Sequence, residues 1–491
     1  MNEFVSRIRE RNMKKLVIDP VTRVEGHGKV TIIMDDQGRV DRTRLHIVEF
    51  RGFERFIQGR PYWEAPVVVQ RLCGICPVSH HLAAAKAMDL VVGVGPEELS
   101  PTAEKMRRLM HYGQMLQSHA LHFFHLCSPD LLFGFDSPVL KRNVLAVAQE
   151  FPEIAKQGIF MRRFGQEIIR ATAGKKIHGT GAIPGGINKH LETADRDAFR
   201  KDIEQMIEWA AAAVGLVKQV HGKNPTYFDN FGSFPSNHLS LVGKDGALDF
   251  YHGTLRAIDD QGHKIIDQVD YTDYLRHIGE EVRSWSYMKF PFLRKLGKKL
   301  GWYRVGPLAR LNTCDFIPSP LAQKEFEQFR AYTNGKPNNF TLHYHWARMI
   351  EMLHSAEVIK QLLADKDLTA GELLRRGKKR GEGVGVVEAP RGTLIHHYKV
   401  NENDQIKMCN LIVSTTHNNE PMNQAVARVA GQYLDRQQIT EGLLNHIEVG
   451  IRAYDPCLSC ATHALGQMPL QVELENSRGE VIQRAERGSG A

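Results

Sequence analysis

DPCLSCATHALGQMPL, residues 455–470, packs two cysteines and a histidine into its first nine positions, near the end of a 491-residue chain. A Cys-x-x-Cys holds two sulfurs within reach of one metal ion or of each other, which leaves a metal site, a redox pair and a disulfide open. A second pair, Cys73 and Cys76, stands in RLCGICPVSHH, residues 71–81. Four thiolates in two matched pairs select zinc, an iron–sulfur cluster or another soft metal. A zinc ribbon keeps its pairs roughly 15–20 residues apart because it is a small local fold. Here Cys76 and Cys457 are 381 positions apart. Such a site assembles only when the whole chain has folded, which is unusual for a structural staple and ordinary for a catalytic centre. The spacing therefore predicts a buried catalytic metal inside one large unit.

Each pair is followed by a histidine, His80 after Cys76 and His463 after Cys460. His80 is open to three readings: a further ligand, a hydrogen-bond donor to a thiolate, or a core histidine satisfied by its neighbours. Cys127, Cys314 and Cys409 are isolated in sequence and read as buried small hydrophobes.

Composition bounds the rest. With 42% hydrophobic and 24% charged residues and a mean hydropathy of −0.34, the chain reads as folded and soluble. Its longest apolar runs, such as Trp209–Val217, fall short of the roughly 20 residues of a membrane helix, and the first residues hold no apolar signal core. No membrane association is expected. The net charge of +8 is scattered, with dense basic runs only at Arg294–Lys299 and Arg375–Arg380, so nucleic-acid binding is not expected either. Seven cysteines, an odd and sparse set, fit a reducing cytoplasm.

Periodicity predicts a mainly α fold with small β decorations, an α+β unit. KLVIDP, GKVTIIM and RLHIVEF read as a small antiparallel sheet, the last two joined by the turn Asp35–Gly38. From Pro66 to about Gly222 the pattern is helical, with a run from Thr102 to Cys127 capped at Ser100-Pro101, and with Gly174 and Gly222 as stops. Residues 247–271 read as an inserted hairpin turning at Asp259–Gly262. Helices resume over about 321–364. A meander through GVGVVEA, TLIHHYKV and IKMCNLIVS then leads to further helices, the second from about Thr440 to Tyr454. Residues 464–491 suggest a short hairpin about Ser477-Arg478-Gly479.

These residues carry a resemblance. RLCGICPVSH and DPCLSCATH match the two signatures of nickel–iron hydrogenase large subunits, in the right order at the two ends of the chain, and VIDPVTRVEGHGKV, FRGFERFIQGR, IPGGIN, VGVVEAPRGTL and IVSTTHNN resemble that family in between. WSYMKFP and YDPCLSCATHALGQMPL are most similar to the NAD-reducing cytoplasmic branch. The resemblance implies the nickel–iron hydrogenase large-subunit fold and reversible heterolytic cleavage of H2. It implies that Cys73, Cys76, Cys457 and Cys460 bind nickel, with Cys76 and Cys460 also bridging to an iron that carries carbon monoxide and cyanide. The chemistry is intelligible from below, since a soft thiolate cage suits a metal that activates hydrogen and a nearby base must take the proton. That base is a cysteine sulfur, Cys457 among them, or Arg391. Glu25 of RVEGH would be the first proton relay; read without the family, it is a strand-end surface carboxylate.

By the same resemblance Glu54, the Leu411 carbonyl and His463 form a hard-cation site for Mg2+. Pro390, Arg391 and Thr415 cradle the cyanides, Asp455 supports Arg391, and His80 lies among the groups around the cofactor. Where membrane-bound relatives have an aspartate near the site, this chain has Ser118. The family further implies a catalytic unit over residues 1–463 and an extension, 464–491, removed by a maturation endopeptidase. GTGAIP and GEGVGV miss the third glycine of a dinucleotide fingerprint, and three scattered cysteines cannot hold a cluster. FMN, NAD and iron–sulfur clusters are therefore expected on partners: flavin/NAD diaphorase subunits together with a small iron–sulfur subunit. Two alternatives are an acceptor such as NADP, a deazaflavin or ferredoxin, and a non-catalytic scaffold resembling the quinone-site subunit of complex I.

Overall fold

The computed structural model describes residues 14–47, 52–458, 471–475 and 481–486. The described residues are about 50% helical and 19% strand. Strands β1 (Lys14–Asp19), β2 (Gly28–Met34) and β3 (Val40–Ile47) form the expected antiparallel meander, with Val30 opposite both Ile18 and Leu45. Their inward positions, among them Leu16, Ile18, Ile32 and Ile47, are buried in the main core, as period-two alternation requires.

The helical body is built from α1 (Pro77–Val91), α2 (Pro101–Leu121), α3 (Pro152–Ala173), α4 (Thr193–Lys223) and α5 (His343–Leu363). Helix α2 packs on α3 and α5, and α5 on α4. The Ser100 hydroxyl accepts the Ala103 amide at 3.1 Å, the cap that Ser-Pro announces. The run does reach Cys127, but His122–Cys127 winds as a π-helix, a form that gathers at functional sites. Gly174 ends α3 in the left-handed conformation. Gly222 does not end α4, which continues to Lys223 and stops before Pro225, whose ring disfavours a helical residue ahead of it.

Thr254–Ile258 and Lys264–Val269 form the expected hairpin, yet it is not an isolated insertion. Asn237–Val242 and Tyr303–Arg304 complete a four-stranded sheet with it. NHLSLV was not legible as a strand because no tight turn joins it to its neighbour.

The late meander comprises β4 (Glu382–Ala389), β5 (Gly392–Val400) and β6 (Ile406–Ile412), followed by α6 (Asn419–Tyr433) and α7 (Glu441–Arg452), the latter capped by Thr440. Strand β4 lies directly on α1. A Cβ at Gly385 would fall 2.0 Å from the Ala83 carbonyl and one at Gly383 2.0 Å from the Ala87 carbonyl, so GVGVV is the spacing that lets strand backbone touch helix backbone. Gly385→Ala has no rotamer to relieve the clash and should cost at least about 3 kcal/mol, read as a drop in Tm. An unchanged Tm would refute this contact.

At the other end of the chain, β7 (Gln471–Glu475) and β8 (Val481–Glu486) are the two strands of the expected hairpin; its turn lies outside the described residues. The sequence did not foretell that β7 pairs antiparallel with β1, giving a five-stranded sheet ordered β8-β7-β1-β2-β3.

Candidate metal centre

The first thiol pair sits where a short 3-10 turn, Val69–Leu72, gives way to α1. Cys73 ends the turn and Cys76 occupies the N-cap position. The Cys76 amide donates to Cys73 Sγ at 3.1 Å, placing that sulfur where the helix N-terminus favours negative charge. The second pair is delivered by the segment after α7. Asp455 adopts the left-handed conformation (φ 53°) ahead of Pro456, and the reversed chain brings Cys457 beside Glu25 through an isolated parallel bridge. The Leu458 amide donates to the Glu25 carbonyl at 2.7 Å and the Cys457 amide to Thr415 Oγ1 at 3.0 Å. Cys73 Sγ then lies 2.6 Å from Cys76 Sγ and 3.1 Å from Cys457 Sγ, all three as free cysteines. Their sulfurs fall within 4.8 Å of one another. Cys460 and His463 lie outside the described residues.

Arg391 projects over this cluster from the β4–β5 turn. One guanidinium nitrogen donates to Asp455 Oδ1 at 2.9 Å and another to Ser118 Oγ at 3.3 Å, so the neutral hydroxyl of Ser118 stands beside the arginine. Beneath the turn lies a group that no sequence motif announced. Arg310, fully buried, bonds both oxygens of Glu351, one oxygen of Glu388, and the carbonyls of Ala389 (2.8 Å) and Pro390 (3.3 Å). A cation clamped by two buried carboxylates fixes the backbone that carries Pro390 and Arg391.

His80 Nδ1 is 3.1 Å from His396 Nε2, and His396 Nδ1 is 2.7 Å from Tyr398 Oη. His80 also lines a small cavity with Cys76, Pro390, Arg391, Thr415 and Cys457. The Thr415 hydroxyl accepts from Cys457, which leaves its proton for another acceptor. Glu25 is buried, 4% exposed, which excludes the surface-carboxylate reading. Glu54 Oε1 accepts the Leu411 amide at 3.2 Å, so these two residues, 357 positions apart, do meet.

The donor set fits a metal. At Cys457 the contacts with Cys73 and Cys76, then burial, push the thiol well above its usual range. At Cys76 the Cys457 contact lowers the pKa, but the Cys73 contact and burial outweigh it. Three thiols this close, Cys73 and Cys76 buried and Cys457 partly so, cannot ionise together unless cationic charge is supplied, and a thiolate-bound metal supplies it. Burial works against the Arg391 charge, yet Asp455 and the three cysteines outweigh it and hold the guanidinium protonated. Asp455 is raised by burial and drawn back by Arg391 and Arg348. Cys127 and Cys314 are buried, and burial pushes each up to about 12, in keeping with inert core thiols.

A helical body that gathers Cys73, Cys76 and Cys457 into one cluster marks a metal centre, and the comparisons with known proteins give its class. Residues 51–134 and 242–463 match the nickel-dependent hydrogenase family, and residues 15–50 match the HoxL-like family. The chain belongs to the nickel-dependent hydrogenase family. The NAD-reducing hydrogenase HoxS subunit beta of Cupriavidus necator is 52% identical over 482 residues, 96% of this chain and 99% of the relative. An F420-non-reducing hydrogenase chain of Methanothermobacter thermautotrophicus is 43% identical over 479 residues, covering 96% of this chain and 100% of its own. The crystal structure of an NAD+-reducing NiFe hydrogenase in the H2-reduced state superposes with a TM-score of 0.89 at 58% identity, covering 91% of this chain and 99% of that one. The scaffold reading required a chain without metal-ligating thiols, and the gathered cysteines remove its basis.

Proposed function

We propose that this chain is the hydrogen-activating subunit of a NAD-reducing nickel–iron hydrogenase. The observation that carries the reading is the meeting of Cys73, Cys76 and Cys457 in one buried site under a protonated Arg391. Cys73, Cys76, Cys457 and Cys460 would hold nickel, Cys76 and Cys460 would also hold the iron, and Pro390, Arg391 and Thr415 would face its diatomic ligands. Glu54, Leu411 and His463 would hold Mg2+. When bound, the centre supplies a soft, electron-rich site at which H2 is polarised and its two electrons are taken up.

The chain's own residues handle the protons. Arg391, kept charged by Asp455, acts as a fixed donor rather than a proton acceptor, which favours a cysteine sulfur such as Cys457 as the base. Glu25, buried and joined through its backbone to the Cys457–Leu458 segment, would receive the proton next. Glu25→Gln keeps size and removes the acceptor. We expect net turnover and hydrogen–deuterium exchange into solvent to fall by about 100-fold with nickel and iron still bound. Unchanged exchange would remove Glu25 from the path.

H2 oxidation releases two electrons, and Cys127, Cys314 and Cys409 cannot form a cluster to carry them. The electrons therefore leave through a small iron–sulfur subunit, then through flavin- and NAD-binding subunits, all in the cytoplasm. Among the described residues no helix is long and apolar enough to cross a membrane. The helices near the two Cys motifs would form the face that meets the iron–sulfur subunit, since electron transfer rewards short distance. Gentle purification through a tag on this chain should recover the partners with iron and FMN. A stable monomer that reduced NAD with hydrogen unaided would overturn the assignment. The 43% identity to an F420-non-reducing hydrogenase chain keeps a different acceptor as the second reading, distinguished by which acceptor the purified complex reduces.

We further read residues 464–491 as an extension cut off after His463 by a maturation endopeptidase. Its first strand, β7, covers the β1 edge and β8 pairs with β7, so cleavage would uncover that edge.

A further inference from the structure

WSYMKFP, residues 285–291, marks the resemblance to the NAD-reducing branch, yet the metal centre makes no use of it. Its first residues wall a cleft on the outer face of the N-terminal sheet. Alternation along β1–β3 turns Lys15, Lys29, Arg42, Arg44 and His46 to that face. The register sets Lys29 opposite His46, Arg44 opposite Thr31, and Arg42 opposite Ile33, which itself faces Lys15. Lys29, Arg42 and Arg44 thus gather positive charge on one face, a field that attracts an anion.

The facing wall is fixed. The Tyr287 amide donates to the Ile47 carbonyl at 3.0 Å, and His46 Nδ1 donates to the Trp285 carbonyl at 2.8 Å. His46 Nε2 lies 2.8 Å from Thr31 Oγ1, so the ring is locked from both sides. Between the walls is a cleft of about 690 Å³, within the range of small-molecule sites.

The charges there are incompletely matched. Arg283 is paired with Glu281 and Glu420, and Lys29 stands 3.6 Å from Asp19. Among the described residues, neither Arg42 nor Arg44 has a carboxylate partner; Arg44 instead lies 5.3 Å over the Trp285 ring. Burial holds the His46 pKa below its ordinary value; the bond to the Trp285 carbonyl opposes this, and Arg44, Lys29 and Lys15 add to the lowering.

We propose that this cleft binds a nucleotide, with Arg42 and Arg44 on the phosphates and Trp285 against the base. Guanidinium forks pair with phosphate oxygens two at a time, and an indole gives a planar base a stacking surface. The depth of the cleft, down to nearly buried Thr31 and Ile47, favours a small ligand over a flat protein contact.

Calorimetric titration of the purified full chain with ADP, pyrophosphate and adenosine tests the site. ADP should bind with a Kd of about 10–100 µM, more tightly than pyrophosphate, and adenosine should bind at least about tenfold more weakly than ADP. Arg42→Gln with Arg44→Gln should weaken ADP at least about tenfold while hydrogen-dependent dye reduction stays unchanged. Trp285→Leu should bring ADP down to the affinity of pyrophosphate. Should the double variant not fold, Arg44→Lys keeps the charge, loses the fork, and should still weaken ADP severalfold. The proposal falls if the wild-type chain shows no saturable ADP binding or if the arginine variants bind as the wild type does. It also falls if polyglutamate occupies the cleft without competition from ADP, which would assign the face to an acidic protein partner.

Discussion

Cys73→Ser should abolish hydrogen-dependent dye reduction, a loss of at least about 1,000-fold, or about 4 kcal/mol in the barrier. Cys73 is the hub of the described cluster, 2.6 Å from Cys76 Sγ, 3.1 Å from Cys457 Sγ, and the acceptor of the Cys76 amide. Serine is close in size, so the turn before α1 survives, but a hard hydroxyl replaces a soft thiolate and does not ionise near neutral pH. Nickel content should fall with activity while the far-ultraviolet circular dichroism spectrum stays the same. Cys460→Ser should behave alike. Activity retained with nickel bound would refute the ligand assignment.

Arg391→Lys should lower activity by about 100-fold, about 2.7 kcal/mol, with near-normal nickel and iron. The guanidinium bridges Asp455 at 2.9 Å and Ser118 at 3.3 Å from separate nitrogens, and a single ammonium cannot hold that geometry over the thiols. The loss should not come from collapse, because Arg310 holds the Ala389 and Pro390 carbonyls whatever occupies position 391. Assay of dye reduction beside metal analysis and thermal unfolding separates the two effects. Activity within twofold of the wild type would show that charge alone is needed there.

Much of the fold was readable because its signals are local. The Ser100-Pro101 cap, the alternation of β2, the Asp35–Gly38 turn and the Thr440 start of α7 each depend on residues within one or two turns. The reading failed where neighbours in sequence are not neighbours in space. Asn237–Val242 finds its partners across a long connection and a parallel bridge to Tyr303–Arg304, so the hairpin after it looked like an insertion. Gly222 resembled a stop, but Pro225 and Asn224 set the end of α4.

By itself the sequence predicted that the two Cys-x-x-Cys pairs at opposite ends share one soft-metal site, and the structure brings Cys73, Cys76 and Cys457 of those four together. The basic face of β1–β3 emerged only from the strand register, because its residues are scattered in sequence. Only the tertiary structure decided what surrounds the thiols. Ser118 reaches Arg391 across 273 positions, Thr415 reaches the Cys457 amide across 42, and Arg310 gathers Glu351, Glu388 and two carbonyls beneath the Arg391 turn. No local pattern specifies such contacts. A buried arginine and an exposed one look alike in sequence, and they differ only once packing removes water and leaves each charge to be met by whatever the fold has brought within reach.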